Sequence, residues 1–189
     1  MSLRLFAAIA IPTDTAARLT PLQRDVMAAS WRPAENFHLT LRFFGEIDEA
    51  LARDLDDEMG RIVEPPFQIR LKGAGSFGGR APASLWIAVE APPVLARLAA
   101  SCEKSARRVG LAPERRGFTP HVTLAYCHGT ADYDAAAFME RVGAFECEPF
   151  WVDHFALYSS WATRRASRYV EEAVYPLTGA PVREENERR

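Results

Sequence analysis

Two segments with the same alternating pattern, HLTLRFFG at 38–45 and HVTLAY at 121–126, constrain the fold more than any other feature of the chain. Side chains on a β-strand point alternately to opposite faces of the sheet. In each segment the histidine and the threonine therefore share one face, and the aliphatic residues between them face the other. We expect both segments to be half-buried strands that each present an imidazole beside a hydroxyl group.

The composition is that of an ordinary soluble globular protein, with 48% hydrophobic and 25% charged residues in a chain of 189. Such a chain buries one substantial core, or two small lobes that share one. The formal net charge of −2 provides no excess positive charge for gripping a long nucleic acid. We therefore expect any nucleic-acid substrate to be held at a small local site, such as a strand end.

The cysteines and the N-terminal segment both bear on where the protein resides. The chain has three scattered cysteines without a C-x-x-C pair: Cys102, Cys127 and Cys147. Such a set predicts free thiols rather than a disulfide framework or a zinc site. The apolar run at 3–12 is too short to span a membrane and is expected to form the first strand. We expect a cytoplasmic protein.

The hydrophobic spacing and the turn residues predict eleven elements in the order strand, helix, strand, helix, strand, strand, helix, strand, helix, strand, strand. The expected strands are 3–12, 36–44 closed by Gly45, 67–73, 85–90, 118–127, 149–160 and 167–177. The expected helices are about 13–29, 49–63 with Asp48 as its cap, 92–109 ending at Gly110, and 134–142. This order favours an α+β fold, with residues 1–180 as one domain of two similar, mainly antiparallel lobes under helices. The charged tail 181–189 is expected to be disordered.

The paired histidines and threonines suit the cleavage of a phosphoester. If the two lobes face each other, His38, Thr40, His121 and Thr123 meet across a cleft. Cleavage needs a base for the attacking oxygen and an acid for the leaving oxygen, and imidazole serves in either role near neutral pH. The hydroxyl groups can hydrogen-bond the non-bridging phosphate oxygens. This chemistry requires no metal ion.

Two competing interpretations are weaker. A zinc site would need a third ligand at a telling spacing, and His128 and His154 stand alone, so we expect them to be surface or packing residues. The segment GAGSFG at 73–78 spells the dinucleotide-binding pattern G-x-G-x-x-G. That pattern works only when a helix follows directly, and a strand pattern follows here. We interpret the segment as a flexible hairpin loop, and nothing in the sequence indicates a nucleotide cofactor.

At these residues the sequence resembles the 2H phosphoesterase superfamily, which is named for its two H-x-[TS]-x motifs. It looks most like the RNA 2′,3′-cyclic phosphodiesterase branch, also called the 2′-5′ RNA ligase family. The resemblance covers nearly the whole chain. It rests on RLFAAIAIP at 4–12, ENFHLTLRFFGEID at 35–48, ERRGFTPHVTLA at 114–125, FALYSS at 155–160 and SRYVEEAVYPL at 167–177.

The resemblance implies a bilobal, pseudo-symmetric α+β fold with the active site in the groove between the lobes. It implies hydrolysis of an RNA 2′,3′-cyclic phosphate to a 2′-phosphomonoester. Carried over by position, His38 is the proton donor to the leaving 3′ oxygen, and His121 is the proton acceptor that activates water. Thr40 and Thr123 hold the phosphate. The choice of which histidine is the acid comes from the resemblance alone.

One departure from the family pattern concerns a cation. Several relatives carry arginine where this chain has Tyr126, which leaves one anion contact unassigned. Arg42 shares a strand face with His38 and Thr40, so it is a candidate for binding phosphate or is an exposed strand arginine. The pair at 115–116 is a candidate for steering phosphates or for solubilising a loop.

Aromatic residues near the expected groove are candidates for stacking on RNA bases. The candidates are Trp86, Phe118, Tyr158, Trp161 and Tyr169. Phe118 and Tyr158 lie nearest the site in the family pattern, so we favour these two.

Other functions remain open on the sequence alone. The same site suits 2′-5′ RNA ligation, cleavage of a 2′-5′ linkage, or cleavage of a small cyclic nucleotide. A non-catalytic module that binds RNA ends is the alternative from a different class. In each case we expect RNA ends or small nucleotides with a cyclic phosphate as partners, no membrane, and a monomer.

Overall fold

The structure is a computed structural model that describes residues 2–162 and 167–180. In this part of the chain it contains nine strands and four α-helices. The strands are β1 Ser2–Ala10, β2 Ala29–Trp31, β3 His38–Asp48, β4 Phe67–Phe77, β5 Ser84–Glu90, β6 His121–Cys127, β7 Phe150–Val152, β8 His154–Ala162 and β9 Ser167–Pro176. The helices are α1 Thr13–Leu19, α2 Glu49–Met59, α3 Pro93–Arg108 and α4 Asp132–Val142.

The strands form one sheet in the order β7-β4-β5-β6-β3-β1-β8-β9, and β2 pairs with the far part of β6. Every one of these pairings is antiparallel. The two halves of the sheet meet between β3 and β6, where Leu39 is the registered partner of Val122. The α+β fold is confirmed, and its two expected sheets are halves of one continuous sheet.

The junction of the halves coincides with the two repeated segments. Leu39 and Val122 are the residues between histidine and threonine in each copy, and both are fully buried. α3 connects β5 to β6 in one half but packs against α2 and β3 of the other. The fold therefore brings the two copies together at its centre.

The segment after α1 differs from the expected long helix at 13–29. The helix ends at Leu19, and a 3₁₀ turn at Thr20–Leu22 follows with a proline in it. Proline lacks the N–H group that an α-helix needs at an interior position. The chain then adopts positive φ at Asp25 and Ala28 and enters β2, a strand that the sequence did not predict.

The glycine-rich segment at 73–78 is not the loop that we expected. Strand β4 continues through it to Phe77, and the turn to β5 follows at Gly78, where φ is +106°. Gly75 pairs with Trp86 across the ladder, and a Cβ atom at Gly75 would lie 2.3 Å from the indole ring. The glycine is required because any side chain at this position would overlap the Trp86 ring.

The other elements agree with the expected pattern within a few residues. Asp48 caps α2 by accepting hydrogen bonds from the Ala50 and Leu51 amides at 2.9 Å. Gly110 follows α3 with φ of +88°. The expected strand at 149–160 is two strands, separated at Asp153. The tail 181–189 lies outside the described residues, and none of the described helices is long and apolar enough to cross a membrane.

Candidate active site

A groove of about 780 Å³ lies over the junction of the two halves of the sheet. His38, Thr40, His121 and Thr123 all line it. The groove walls also include residues of α3, β3, β4, β5 and the loop that leads into β6. The structure therefore brings together the four side chains that the sequence singled out.

The two histidines are held in the same way. The His38 Nδ1 atom lies 2.7 Å from the Asn36 carbonyl oxygen, and the His121 Nδ1 atom lies 2.7 Å from the Thr119 carbonyl oxygen. A carbonyl oxygen only accepts, so each Nδ1 carries the proton and donates it. In the neutral form each Nε2 is therefore the atom with a free lone pair, available to the groove.

Aromatic rings pack against both imidazoles. The His38 ring contacts Phe6 at 4.9 Å and stands edge-on to Tyr169 at 5.1 Å, measured between ring centroids. The His121 ring stands edge-on to Phe77 at 4.9 Å and lies 5.8 Å from Trp86. These contacts restrict the rotation of each imidazole about the fixed Nδ1 hydrogen bond.

The burial that orders the histidines also shifts their titration. Burial lowers the pKa of His38 to about 4, with smaller effects in the same direction from the charges of Arg32 and His121. Burial likewise lowers the pKa of His121. In both cases the hydrogen bond to the backbone carbonyl acts in the opposite sense, because it favours the protonated ring. Both imidazoles are neutral in the free protein at pH 7.

The threonines lie next to the histidines of the opposite strand. β3 and β6 are antiparallel with Leu39 opposite Val122, so this register directs Thr40 toward His121 and Thr123 toward His38. Both threonines line the same groove as both histidines. The arrangement can surround one small anion with two ring nitrogens and two hydroxyl groups.

Arg42 lines the groove, but its guanidinium already has acidic partners. It donates to the Glu103 carboxylate at 2.5 Å and lies 3.8 Å from the Glu114 carboxylate. Arg116 also lines the groove and is paired with Glu114 at 3.4 Å. Arg115 does not line the groove. The two groove arginines are therefore balanced by two carboxylates.

The aromatic candidates occupy different positions. Phe118 lines the groove and is 37% exposed. Tyr158 does not line it, because Phe6 stacks between Tyr158 and the His38 ring. Trp86 packs against His121, and Tyr169 packs against His38. Trp161 donates a hydrogen bond to the Ser159 hydroxyl.

The structure adds three groove-side residues that sequence reasoning missed. Phe43 and Phe77 line the groove and are partly exposed, and the buried Arg32 packs against Tyr126 of the groove wall. The signal that could have found Phe43 is its position within the first repeated segment, three residues after Thr40. The positions of Phe77 and Arg32 depend on contacts with distant strands.

His128 and His154 lie apart from the groove. Both are exposed, as expected, and His154 pairs with Asp153 at 2.6 Å. Within residues 2–162 and 167–180, no group of three or more histidine, cysteine, aspartate or glutamate side chains is placed to hold a metal ion.

Comparison with known proteins adds a family to this geometry. The family model of the 2′-5′ RNA ligase superfamily matches residues 11–163. The RNA 2′,3′-cyclic phosphodiesterase of Aeropyrum pernix is 33% identical over 138 residues, which cover 71% of this chain and 78% of the relative. The enzyme of the same name from Escherichia coli is 31% identical over 179 residues, which cover 93% and 97% of the two chains.

Solved structures agree with the sequence relatives. Escherichia coli LigT complexed with 3′-AMP superposes with a TM-score of 0.77 at 28% identity, covering 94% of this chain and 99% of LigT. The Thermus thermophilus protein TT0787 gives a TM-score of 0.77 at 26% identity with the same coverage. Because the family match spans most of the chain and includes both His-x-Thr strands of the groove, this chain belongs to the 2′-5′ RNA ligase superfamily.

Proposed function

We propose that this enzyme hydrolyses the 2′,3′-cyclic phosphate at an RNA end to a 2′-phosphomonoester. The observation that carries the proposal is the groove itself, where two imidazoles with free Nε2 atoms and two threonine hydroxyls converge. The relatives named RNA 2′,3′-cyclic phosphodiesterase support the same reaction.

The reaction uses one histidine as base and the other as acid. His121 Nε2 takes a proton from a water molecule, whose oxygen bonds to phosphorus. The bond between phosphorus and the 3′ oxygen breaks, and protonated His38 donates its Nε2 proton to that oxygen. The products are a 2′-phosphomonoester and a free 3′ hydroxyl. The proton on His121 returns to His38 through solvent, which restores the starting state.

The lowered pKa of His121 fits its role as the base in the free protein. The lowered pKa of His38 fits its role as the acid only when substrate is bound. His121 is neutral at pH 7 in the free protein, as a base must be. His38 must carry a proton to act as the acid, although its pKa in the free protein is about 4. The negative charge of a bound phosphodiester raises the pKa of a neighbouring imidazole. We therefore propose that His38 takes up its proton when substrate binds.

The threonines and the groove rim position the substrate. Thr40 and Thr123 donate hydrogen bonds to the non-bridging phosphate oxygens, which become more negative in the transition state. Phe118 is exposed at the groove and offers its ring to the terminal base. Arg42 adds little positive charge at the phosphate, because Glu103 and Glu114 already neutralise much of its charge. An RNA base would have to extend past Phe6 to stack on Tyr158. The stacking role of Tyr158 therefore stays a prediction that rests on the family pattern.

The test is turnover of a short oligoribonucleotide ending in a 2′,3′-cyclic phosphate, with chelator present, followed by phosphorus NMR. The expected product is a 2′-phosphate, lost in His38→Ala and His121→Ala. Full turnover in the double variant would overturn the mechanism. His154→Ala is the matched control, since His154 is exposed outside the groove. Phosphate or RNA-end binding without turnover would indicate a binding module instead.

The family model gives a specific reason to test ligation as well, because it is named for 2′-5′ RNA ligases. Ligation is ring opening with a 5′ hydroxyl as the nucleophile in place of water: its oxygen bonds to phosphorus and the bond from phosphorus to the 3′ oxygen breaks, so it uses the same two histidines. Incubation of the cyclic end with a 5′-hydroxyl strand would reveal a 2′-5′ linkage. A joined product formed faster than the hydrolysed one would make ligation the principal activity.

We also propose that the enzyme is cytoplasmic and monomeric. The three cysteines are free thiols, which a reducing compartment maintains. One chain supplies both histidines and both threonines of the groove. Sedimentation of the purified protein at micromolar concentration tests the monomer, and a dimer would contradict it.

A further inference from the structure

Arg32 is buried against Tyr126, a residue of the groove wall. It follows β2 and is 8% exposed. Its guanidinium donates to the Tyr169 hydroxyl, with 3.3 Å between Nη2 and Oη. In the described part of the chain, no carboxylate forms an ion pair with it. Buried charges are normally paired, because removing a charge from water is costly.

Two tyrosine rings flank the Arg32 guanidinium. Its central carbon lies 5.4 Å from the centroid of the Tyr126 ring and 5.8 Å from that of Tyr169. Tyr126 lines the groove, and Tyr169 stands edge-on to His38. Arg32 therefore contacts one residue of the groove wall, Tyr126, and one residue that packs against the His38 imidazole, Tyr169.

The backbone of β2 directs Arg32 toward the groove side of the sheet. Ser30 is the registered partner of Tyr126, a groove residue. Trp31 packs against Phe138 of α4, with 6.1 Å between ring centroids. Because side chains alternate along a strand, Arg32 shares the face of Ser30 and lies opposite to Trp31.

The charge of Arg32 reaches the proposed catalytic residues. It is one of the causes that lower the pKa of His38, because it repels a proton there. The same field attracts an anion placed beside His38. Arg42 and Arg116 differ from Arg32 in this respect, since Glu103 and Glu114 already neutralise them.

We propose that Arg32 is an anion-positioning residue: its positive charge, paired with no carboxylate among the described residues, draws a phosphate group into the groove and holds it beside His38. The cation is supplied by the residue directly after β2, outside both repeated segments. The bound phosphate supplies a counter-charge for the Arg32 guanidinium. The identity of the phosphate as a cyclic RNA end rests on the proposed function, whereas the attraction applies to any phosphate.

The experiment measures the Kd of inorganic phosphate by calorimetry at fixed, low ionic strength. Arg32→Gln removes the charge and retains a donor for the Tyr169 hydroxyl, so we expect the Kd to rise about tenfold. Arg24→Gln is the matched control, because Arg24 is exposed and paired with Asp25, and its Kd is expected to be unchanged. An unchanged Kd in folded Arg32→Gln would overturn the proposal.

If Arg32→Gln does not fold, a second variant tests whether the charge at position 32 is needed for phosphate binding. Arg32→Lys keeps the charge and changes the shape, so we expect a Kd within about threefold of the original value. A larger loss in a folded Arg32→Lys protein would mean that the shape of arginine matters rather than its charge, and would overturn the proposal.

Turnover of the cyclic-phosphate oligoribonucleotide is measured in parallel on the same proteins. If phosphate binding follows the charge at position 32 while the unsubstituted protein shows no turnover, the proposed function fails and this inference stands. If turnover is present while phosphate binding ignores the charge, the inference fails and the proposed function stands.

Discussion

At the residue scale, two features of the structure act on the His38 imidazole in opposite directions. The hydrogen bond from Nδ1 to the Asn36 carbonyl fixes the ring and frees Nε2, but burial favours the neutral form. An acid in this position must therefore obtain its proton together with an anion. The titration of His38 should depend on whether the groove holds phosphate.

We expect saturating inorganic phosphate to raise the pKa of His38 from about 4, because a neighbouring negative charge favours the imidazolium. NMR titration of the ring protons measures this, with His38→Ala to assign the signal. The fall in rate at high pH marks loss of the acid's proton. The pH at which the rate falls should be higher for kcat, which reports the enzyme–substrate complex, than for kcat/KM, which reports the free enzyme. An unchanged pKa in phosphate would contradict the expectation.

Each threonine hydroxyl should matter for the rate and little for stability. Thr40→Val and Thr123→Val replace a hydroxyl with a methyl of similar size, and we expect kcat to fall about 100-fold in each. Thr178→Val, exposed and outside the groove, is expected to leave kcat unchanged. Steady-state kinetics with a thermal-melting control check this. A Thr40→Val enzyme with full kcat would show that phosphate takes its hydrogen bonds elsewhere.

The placement of the site residues within the repeated segments could be predicted from the sequence, because the alternation of side chains along a strand is a local property. His38 and Thr40 are two positions apart on one strand, and their shared face follows from the backbone alone. Arg32 could not be found in this way. Its significance depends on Tyr169, which lies 137 residues further along the chain, and on the fact that no carboxylate in the described part of the chain forms an ion pair with it.

At the scale of elements, β4 and β5 show that a glycine can be a packing requirement. Gly75 lies under the Trp86 indole, and Trp86 contacts the His121 ring. A methyl group at position 75 would occupy the space of the indole, so the ring must move. The glycine-rich segment therefore supports the site through Trp86.

We expect Gly75→Ala to lower both stability and turnover, because the displaced indole no longer packs against His121. An effect of about 1–3 kcal/mol on the free energy of unfolding is typical of overpacking. Gly60→Ala is the control, since a Cβ there meets only ordinary contacts at 3.6 Å and φ is −62°. Urea denaturation and kcat measurements check both variants. Unchanged tryptophan fluorescence and turnover in Gly75→Ala would contradict the packing argument.

The elements that sequence reasoning misjudged share one cause. Leu19, Leu22 and Val26 have helical spacing, and all three are at least partly buried against the core. They reach that core through a helix, a 3₁₀ turn and a loop, because Pro21 interrupts the helix. Spacing shows which side chains are buried, but the backbone path between them depends on tertiary contacts.

At the scale of the whole molecule, the two halves depend on each other. The sheet is continuous through a single registered pair, Leu39 and Val122, and α3 packs across from one half to the other. The sequence predicted two similar lobes from the repeated segments. It could not show that the repeats themselves form the joint, since pairing between β3 and β6 is a long-range contact.

We therefore expect one cooperative unfolding transition, with equal calorimetric and van't Hoff enthalpies. Leu39→Ala should shift that whole transition, because truncating a fully buried leucine costs about 2–5 kcal/mol and both halves pack on this residue. Val63→Ala is the control, since Val63 is 69% exposed and its truncation should change stability by less than about 1 kcal/mol. Two separate transitions, with only one moved by Leu39→Ala, would mean that the halves fold independently. The groove would then be an interface between two units, and its histidines would be aligned by docking rather than by the sheet.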